Sequence, residues 1–254
     1  MKAATTLSTN HAMLHNIKEL YGHKITALDG IIGHVADFYF DDKTWVIRYL
    51  VVDTGSWLSG RRVLLSPHAF GKWDQYEKTL HVKLQKKQIQ NSPSIESHKP
   101  VSRQYEIEFY KYYGWPVYWN GGAIWGLGGF PMVKPPSKDE MDAHLEQHHH
   151  RTDKHLQSAK SVTDYQIQAL DEPIGQLSSF LVNDRSWVIR DLVIETGHWY
   201  SGKVILVSSS KVERISYEES RVYVNLSKAD LKQTPDNDLA SAGIGSFGEE
   251  SLST

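Results

Sequence analysis

The tetrapeptide Trp-Val-Ile-Arg occurs twice in this chain, at 45–48 and 187–190, and each copy opens an apolar run that ends in Thr-Gly-x-Trp-x-Ser-Gly. The copies lie 142 positions apart (187 − 45 = 142), and this offset aligns residues 25–93 with 167–235 without a gap. Roughly 26 of these 69 pairs are identical, which is far more than chance supplies. One supersecondary unit has therefore been duplicated, so we expect two copies of one small fold.

Composition limits the classes of protein that this chain can belong to. Hydrophobic residues make up 40% and charged residues 23% of its 254 residues, as in ordinary globular proteins. The formal net charge is only −2 and there is no basic stripe, so we expect no nucleic-acid partner. The chain has no cysteine, which excludes disulfides, thiolate metal sites and cysteine nucleophiles.

The hydropathy pattern indicates where in the cell the protein is expected to be. Polar residues interrupt the apolar residues of the first twenty positions, unlike the apolar core of a secretory signal. No apolar run approaches the roughly 18 residues that a membrane-spanning helix needs. We therefore expect a bacterial, cytoplasmic protein without a transmembrane segment, and peripheral membrane association stays open.

Each repeat is predicted to form about six short strands and a brief closing helix. In the first repeat, a strand over 25–28 leads through Asp29-Gly30, a hairpin signal, into a second strand over 34–40. The Trp-Val-Ile-Arg strand that follows is apolar on both faces and needs cover on both sides. A small closed or nearly closed barrel with something packed outside it meets that need. The second repeat is expected to end in a helix that begins at Ser227, with Asp230 completing a capping box.

These patterns predict five regions. They are a flexible lead-in at 1–16, a first repeat at 17–93, a linker at 94–159, a second repeat at 160–235 and a disordered tail at 236–254. Inside the linker, residues 109–130 form an aromatic and glycine-rich block, and residues 138–157 form a histidine-rich, partly helical segment. Because so many aromatic rings are costly to leave in water, we predict that residues 110–125 cover the seam between the repeats.

The turn at Asp29-Gly30, the run Trp-x-Ile-Arg-x-Leu-Val-Val-Asp-Thr-Gly and the exit strand ending at Ser66-Pro67 resemble the PRC-barrel family. That family is named for the cytoplasmic domain of the H subunit of purple-bacterial photosynthetic reaction centres, and it also supplies the C-terminal domain of a ribosome-maturation factor. The resemblance covers residues 18–93 and 160–235, about 60% of the chain. The linker motif Tyr-Tyr-Gly-Trp-Pro-x-Tyr-Trp is similar to that of bacterial tandem PRC-barrel proteins labelled reaction-centre H-like. The resemblance implies a barrel that acts as a structural or protein-contact module.

Two arginines stand out, because Arg48 and Arg190 lie inside otherwise apolar strands. A charged group at such a position should find a partner. One interpretation is that each stem packs on the barrel while the head pairs with a carboxylate of a neighbouring strand. The other places each arginine at a contact surface, and the candidate interaction residues are then Arg48, Arg190, Trp57, Trp199, Tyr113, Trp115, Tyr118 and Trp119.

The histidine-rich segment is the one metal-like pattern in the sequence. His144 and His148 share a face if the segment is helical, and His155 follows. Three such ligands could hold zinc, but the many acidic and amide side chains around them favour a solvated linker. The acidic residues at strand ends, such as Asp53 and Glu195, are ordinary turn residues, so we predict no catalytic residues and no cofactor.

These observations favour a non-enzymatic protein-interaction or scaffolding role, with a protein partner of unknown identity and an unknown oligomeric state. A first alternative is an accessory subunit of a photosynthetic or other membrane-associated electron-transfer complex, by analogy with the H subunit. A second alternative is a metal-binding protein or enzyme that uses the histidine-rich segment.

Overall fold

The computed structural model describes residues 13–93, 101, 103–119, 123–126, 130–131, 156–197 and 202–232. Each repeat forms a mixed β-sheet with six strands along its main path, and a seventh strand joins each sheet at one side. The predicted fold class, mainly β with two six-stranded units in tandem, is confirmed.

The described elements are numbered in chain order. The strands are β1 (Leu14–Asn16), β2 (Lys24–Ala27), β3 (Gly30–Asp41), β4 (Val46–Asp53), β5 (Arg62–Leu65), β6 (Phe70–Asp74), β7 (Thr79–Val82), β8 (Leu156–Ser158), β9 (Gln166–Gln168), β10 (Pro173–Asn183), β11 (Ile189–Thr196), β12 (Val204–Ser208), β13 (Val212–Ser216) and β14 (Arg221–Val224). The helices are α1 (Ile17–Leu20), α2 (Lys86–Gln90), α3 (Arg103–Tyr113), α4 (Ala159–Val162) and α5 (Lys228–Lys232).

Both sheets have the same topology. Their strand orders are β5-β4-β3-β2-β7-β6 and β12-β11-β10-β9-β14-β13. Neighbouring strands are antiparallel except for β2 with β7 and β9 with β14, which are parallel. The expectation of a closed barrel is wrong, because among the described residues the end strands β5 and β6 do not pair. A short 3₁₀ turn, Pro67–Ala69, joins them instead.

The two repeats exchange their first strands. The strand β1 precedes the first repeat but pairs with β10 of the second, in the register Leu14 with Asn183 and Asn16 with Leu181. Conversely, β8 precedes the second repeat but pairs with β3 of the first. Residues 14–16, which the sequence analysis placed in the lead-in, and 156–158, which it placed in the linker, are therefore parts of the two sheets.

Equivalent polar contacts fasten the exchanged strands. The Ser158 hydroxyl donates to Asp37 Oδ2 over 2.5 Å, and the Lys160 amide donates to Asp37 Oδ1 over 3.1 Å. On the other side, the Ser179 hydroxyl donates to Asn16 Oδ1 over 2.5 Å. Burial raises the pKa of Asp37, against the smaller opposing effect of these hydrogen bonds. Each exchanged strand thus ends in a contact that holds it on the other repeat.

The repeated Trp-Val-Ile-Arg segment forms the joint between the repeats. Trp45 and Trp187 adopt left-handed backbone conformations with φ of 59° and 57°, which cost about 1–2 kcal/mol in residues other than glycine. The same geometry allows two reciprocal hydrogen bonds, from the Ile47 amide to the Trp187 carbonyl and from the Ile189 amide to the Trp45 carbonyl, each 2.7 Å long. The tetrapeptide is therefore a cross-repeat connection as well as the start of a strand.

Aromatic rings fill the seam around this joint. Phe40 of the first repeat lies 5.5 Å from Phe180 of the second, and both rings are fully buried. Phe70 and Trp187 make an edge-to-face contact at 4.6 Å between ring centroids. Because such pairs add about 0.5–1.5 kcal/mol each beyond the area they bury, the seam is part of the protein's hydrophobic core.

Two glycines let neighbouring strands approach closely. A Cβ added to Gly33, at φ +151°, would collide with the carbonyl oxygen of Asp53, and one added to Gly175 would collide with that of Glu195. The missing side chains at these equivalent positions therefore permit the close approach of the neighbouring strands.

The sequence predicts the helix α5 but not the helix α3. At the start of α5, the Ser227 amide donates to Asp230 Oδ2 over 2.8 Å and the Asp230 amide donates to Ser227 Oγ over 3.2 Å, as the predicted capping box requires. The 11-residue helix α3 lies where we expected a polar linker up to residue 108. The spacing of four residues between Tyr105, Phe109 and Tyr113 is the helical signal that the aromatic composition obscured.

Candidate functional site

A β-bulge directs two adjacent side chains of β4 toward the linker. Tyr39 pairs with Tyr49 and Phe40 pairs with Ile47, so Arg48 is the extra residue between consecutive partners. In a regular strand, neighbouring side chains point to opposite faces, but a bulge re-aims one of them. Both Arg48 and Tyr49 consequently contact residues of the segment 103–126, which we call the aromatic cover.

Arg48 is buried and holds the aromatic cover in place. Its Nη1 donates to the carbonyl of Ile124 over 2.6 Å, and its Nη2 donates to Thr44 Oγ1 over 3.1 Å. The guanidinium carbon lies 3.7 Å from the centre of the Tyr118 ring and 4.9 Å from that of Trp125. The carboxylate of Asp41, at the end of the neighbouring strand, is 3.8 Å away. The predicted pairing of Arg48 with a carboxylate of a neighbouring strand is therefore present as a 3.8 Å ion pair with Asp41. The shortest hydrogen bond of Arg48 is instead made to the aromatic cover, at the Ile124 carbonyl.

Arg190 has a different environment although it follows the same tripeptide, Trp-Val-Ile. It is also the extra residue of a bulge, since Leu181 pairs with Asp191 and Val182 pairs with Ile189. Its side chain is exposed, and within the described residues it forms no hydrogen bond or ion pair. The repeats are thus asymmetric at this position, because the aromatic cover lies on the first repeat.

A buried carboxylate joins the cover to the sheet. Glu106 of α3 is fully buried, and its Oε1 accepts hydrogen bonds from the hydroxyls of Tyr49, over 2.7 Å, and Tyr118, over 2.8 Å. Burial raises the pKa of Tyr49 well above its ordinary value, and the Glu106 carboxylate raises it further. Tyr49 therefore remains a protonated donor, as a hydrogen-bonded structural network requires.

His68 is a buried residue that the sequence analysis did not single out. Its ring stacks on Trp115 at 5.5 Å and meets the edge of Trp125 at 5.1 Å, and its Nδ1 lies 2.9 Å from the Ser66 hydroxyl. Burial, together with the nearby Arg48 charge, lowers its pKa from 6.5 to about 4. The second repeat has Ser210 at the equivalent position, and this difference between the repeats is the signal that could have identified His68.

For its described residues, 110–119 and 123–125, the prediction that the aromatic block belongs to the folded core is confirmed, with a correction to its position. Tyr110, Trp115, Tyr118 and Trp125 are all at most 6% exposed. They pack mainly on the first repeat and do not fill the seam evenly. One contact with the second repeat is the hydrogen bond from Trp125 Nε1 to the Ser186 carbonyl, over 2.8 Å.

The other predicted interaction residues fall into three groups. Tyr113 stacks on Trp115 at 4.4 Å, and half-buried Trp119 lies 5.7 Å from Tyr110, so these residues belong to the cover. Trp57 lies in the 3₁₀ turn Gly55–Leu58, half-buried, with Lys86 Nζ 5.0 Å above its ring. The remaining predicted residues, Trp199, His144, His148 and His155, lie outside the described part of the chain.

A cleft of about 530 Å³ opens at the seam, beside the aromatic cover. The first repeat contributes β6 and β7, the second contributes the turn before Trp187, and β1 borders one side. The rings of Phe70, Trp73 and Trp187 line it, and the cations Lys83 and Arg185 lie at its rim. Aromatic walls with charged groups at the edge are typical of ligand sites.

Across residues 13–93, 156–197 and 202–232 and the described parts of the linker, no three His, Asp or Glu side chains converge as metal ligands. None of the described helices combines the length and apolar composition that a membrane span requires.

Comparison with known proteins identifies the first repeat. Residues 14–90 match the family model of the PRC-barrel domain. A comparison with curated proteins finds no match. The matched range begins at the exchanged strand β1 and includes β2 to β7, and the described strands β9 to β14 repeat that topology in the second half. The chain therefore contains a PRC-barrel domain at residues 14–90, followed by a second sheet of the same topology at 156–224.

Proposed function

We propose that this PRC-barrel protein is a non-enzymatic module for protein interaction or scaffolding. The observation that carries the proposal is an exposed leucine at the tip of an anchored hairpin, present in both repeats. Leu28 is 70% exposed and its equivalent Leu170 is 64% exposed. Large apolar side chains on a rigid surface are common features of protein contact sites.

The anchoring of the two tips supports a contact role. The Lys86 amide, at the start of α2, donates to Asp29 Oδ1 over 2.8 Å, which fixes the first tip. In the second repeat, the Lys228 amide donates to both carboxylate oxygens of Asp171 over 3.2 Å. The two leucine amides are also bonded, to the carbonyls of Leu84 and Leu226. A preorganised tip loses less conformational entropy on binding than a mobile one.

The buried ionisable groups support a structural role for the interior. Glu106 is bonded to two tyrosine hydroxyls, and Asp37 holds an exchanged strand. His68 lies among aromatic rings that exclude water. These groups stabilise contacts between segments, which is the role expected of them in a scaffold.

The proposal is tested by affinity capture from native cells with quantitative mass spectrometry, using the full chain as bait. We expect the double variant Leu28→Ser, Leu170→Ser to lose at least about 80% of the specifically captured partner, because a hot-spot truncation costs 2 kcal/mol or more. The control Tyr76→Glu changes another exposed apolar residue, which has Glu218 as its equivalent, and should retain the partner. Equal capture by all three proteins would contradict the role of the tips.

A further inference from the structure

The seam cleft has the size and position of a small-molecule site. Its volume of about 530 Å³ falls within the range of about 300–1,000 Å³ that ligand pockets occupy. It lies where two structural units meet, which is a preferred place for such pockets. Because Phe70 comes from one repeat and Trp187 from the other, a bound molecule would contact both units.

The walls of the cleft are aromatic. Trp73 is half-buried and lies 6.5 Å from Trp187, which in turn meets Phe70 at 4.6 Å. The His15 ring stacks on Trp73 at 6.2 Å, so β1 closes one side. Rings at these distances offer faces and edges against which a planar aromatic group can pack.

The charges that line the cleft leave a positive surplus. Three cations, Lys72, Lys83 and Arg185, outnumber its two carboxylates, Asp74 and Asp184, and Lys72 Nζ lies 3.9 Å from Asp74 Oδ2. Within the described residues, Lys83 and Arg185 have no carboxylate partner, and both side chains are exposed at the rim. A negatively charged group would therefore be favoured at this rim.

The second repeat provides an internal comparison for this cleft. There, the Tyr217 hydroxyl donates to Asp42 Oδ2 over 2.7 Å and bridges the corresponding gap between the repeats. In the first repeat the equivalent residues are Gln75 and Asp184, and their side chains are not bonded to each other in the described structure. One gap is bridged while its counterpart is open.

The residue types at the open gap also differ from those at the bridged gap. The open cleft has Phe70, Trp73 and Lys83, and the equivalent positions of the second repeat have Val212, Ile215 and Asn225. At these three positions the open side has two aromatic rings and a cation that the bridged side lacks.

We propose that the seam cleft binds a small aromatic carboxylate, with its ring against Phe70 and Trp73 and its carboxylate at Lys83 and Arg185. The aromatic walls select a planar ring, and the two cations select a negative charge. This site is separate from the hairpin tips, so the inference does not depend on the proposed interaction role.

The test uses the full chain and measures binding by isothermal titration calorimetry with indole-3-acetate as the probe. We expect a Kd below about 1 mM. Indole-3-acetamide, which lacks the charge, should bind at least about tenfold more weakly, because it loses the charge-assisted contacts. Cyclohexylacetate, which lacks the aromatic ring, should bind at least about fivefold more weakly.

Variants in which a residue is replaced by its equivalent from the other repeat locate the binding site. Lys83→Asn should weaken binding of the acid at least about fivefold while leaving the amide unchanged, and because this residue is exposed the fold is preserved. Trp73→Ile should weaken both ligands, and Tyr217→Gln, at the bridged gap, should change neither. Failure of the acid to bind, equal affinities for acid and amide, or indifference to Lys83→Asn would each overturn the inference.

Discussion

Replacing Arg48 with methionine should destabilise the protein by about 3 kcal/mol. The substitution removes a charged hydrogen bond to the Ile124 carbonyl, worth about 1.5–3 kcal/mol, and a cation–π contact with Tyr118 worth about 2 kcal/mol when desolvated. The buried methionine side chain returns part of this loss through its own packing. For a chain of this size each kcal/mol corresponds to about 2–4 °C, so the melting temperature should fall by about 6–12 °C.

The matched control is Arg190→Met, which makes the same change at the equivalent position of the second repeat. Because Arg190 is exposed, its replacement should alter stability by no more than about 0.5 kcal/mol. Both variants are compared with the wild type by urea unfolding and by scanning calorimetry. Equal effects of the two substitutions, in either direction, would refute the conclusion that Arg48 fastens the aromatic cover to the first repeat.

Two further predictions concern buried positions. His68 has a folded-state pKa of about 4 against 6.5 unfolded, so it contributes stability that is fully present above pH 6.5 and is lost as the pH falls toward 4. His68→Phe should remove up to about 3 kcal/mol of this acid dependence, measured by urea unfolding across that range, while the exposed control His81→Phe should not. Gly33→Ala should cost more than about 3 kcal/mol because its methyl group would strike the Asp53 carbonyl. Gly22→Ala, with a positive φ but open space, should cost about 1–2 kcal/mol in the same unfolding assay, and equal costs would contradict the steric explanation.

The main elements of the fold could be predicted because they depend on local signals. Alternation, the Asp29-Gly30 turn and the capping box at Ser227 each act over a few residues, and all three appear in the structure at the expected places. The exchanged strands could not be predicted in this way. β1 and β8 have three residues each, too few for a periodic pattern, and they become strands because β10 and β3 supply their hydrogen-bond partners.

The candidate site shows the limit of reasoning from the repeat. Arg48 and Arg190 both follow the tripeptide Trp-Val-Ile, yet one is buried and the other exposed. The difference arises from the linker, which lies outside the repeat and packs on one copy. His68 and Trp73 match no motif as single residues, but they differ from their equivalents Ser210 and Ile215 in the second repeat. Asymmetry between duplicated units is therefore the more informative signal for function.

We expect strand exchange and the aromatic cover to join the two repeats into one cooperative unit. Native-state amide hydrogen exchange, followed by mass spectrometry, tests this claim most directly. We predict that peptides containing residues 14–16, 156–158 and 105–113 exchange no faster than those of β4, through global unfolding alone. Exchange of the two arms or the cover several orders of magnitude faster than β4, with each sheet still protected, would contradict the claim and indicate two independently stable domains.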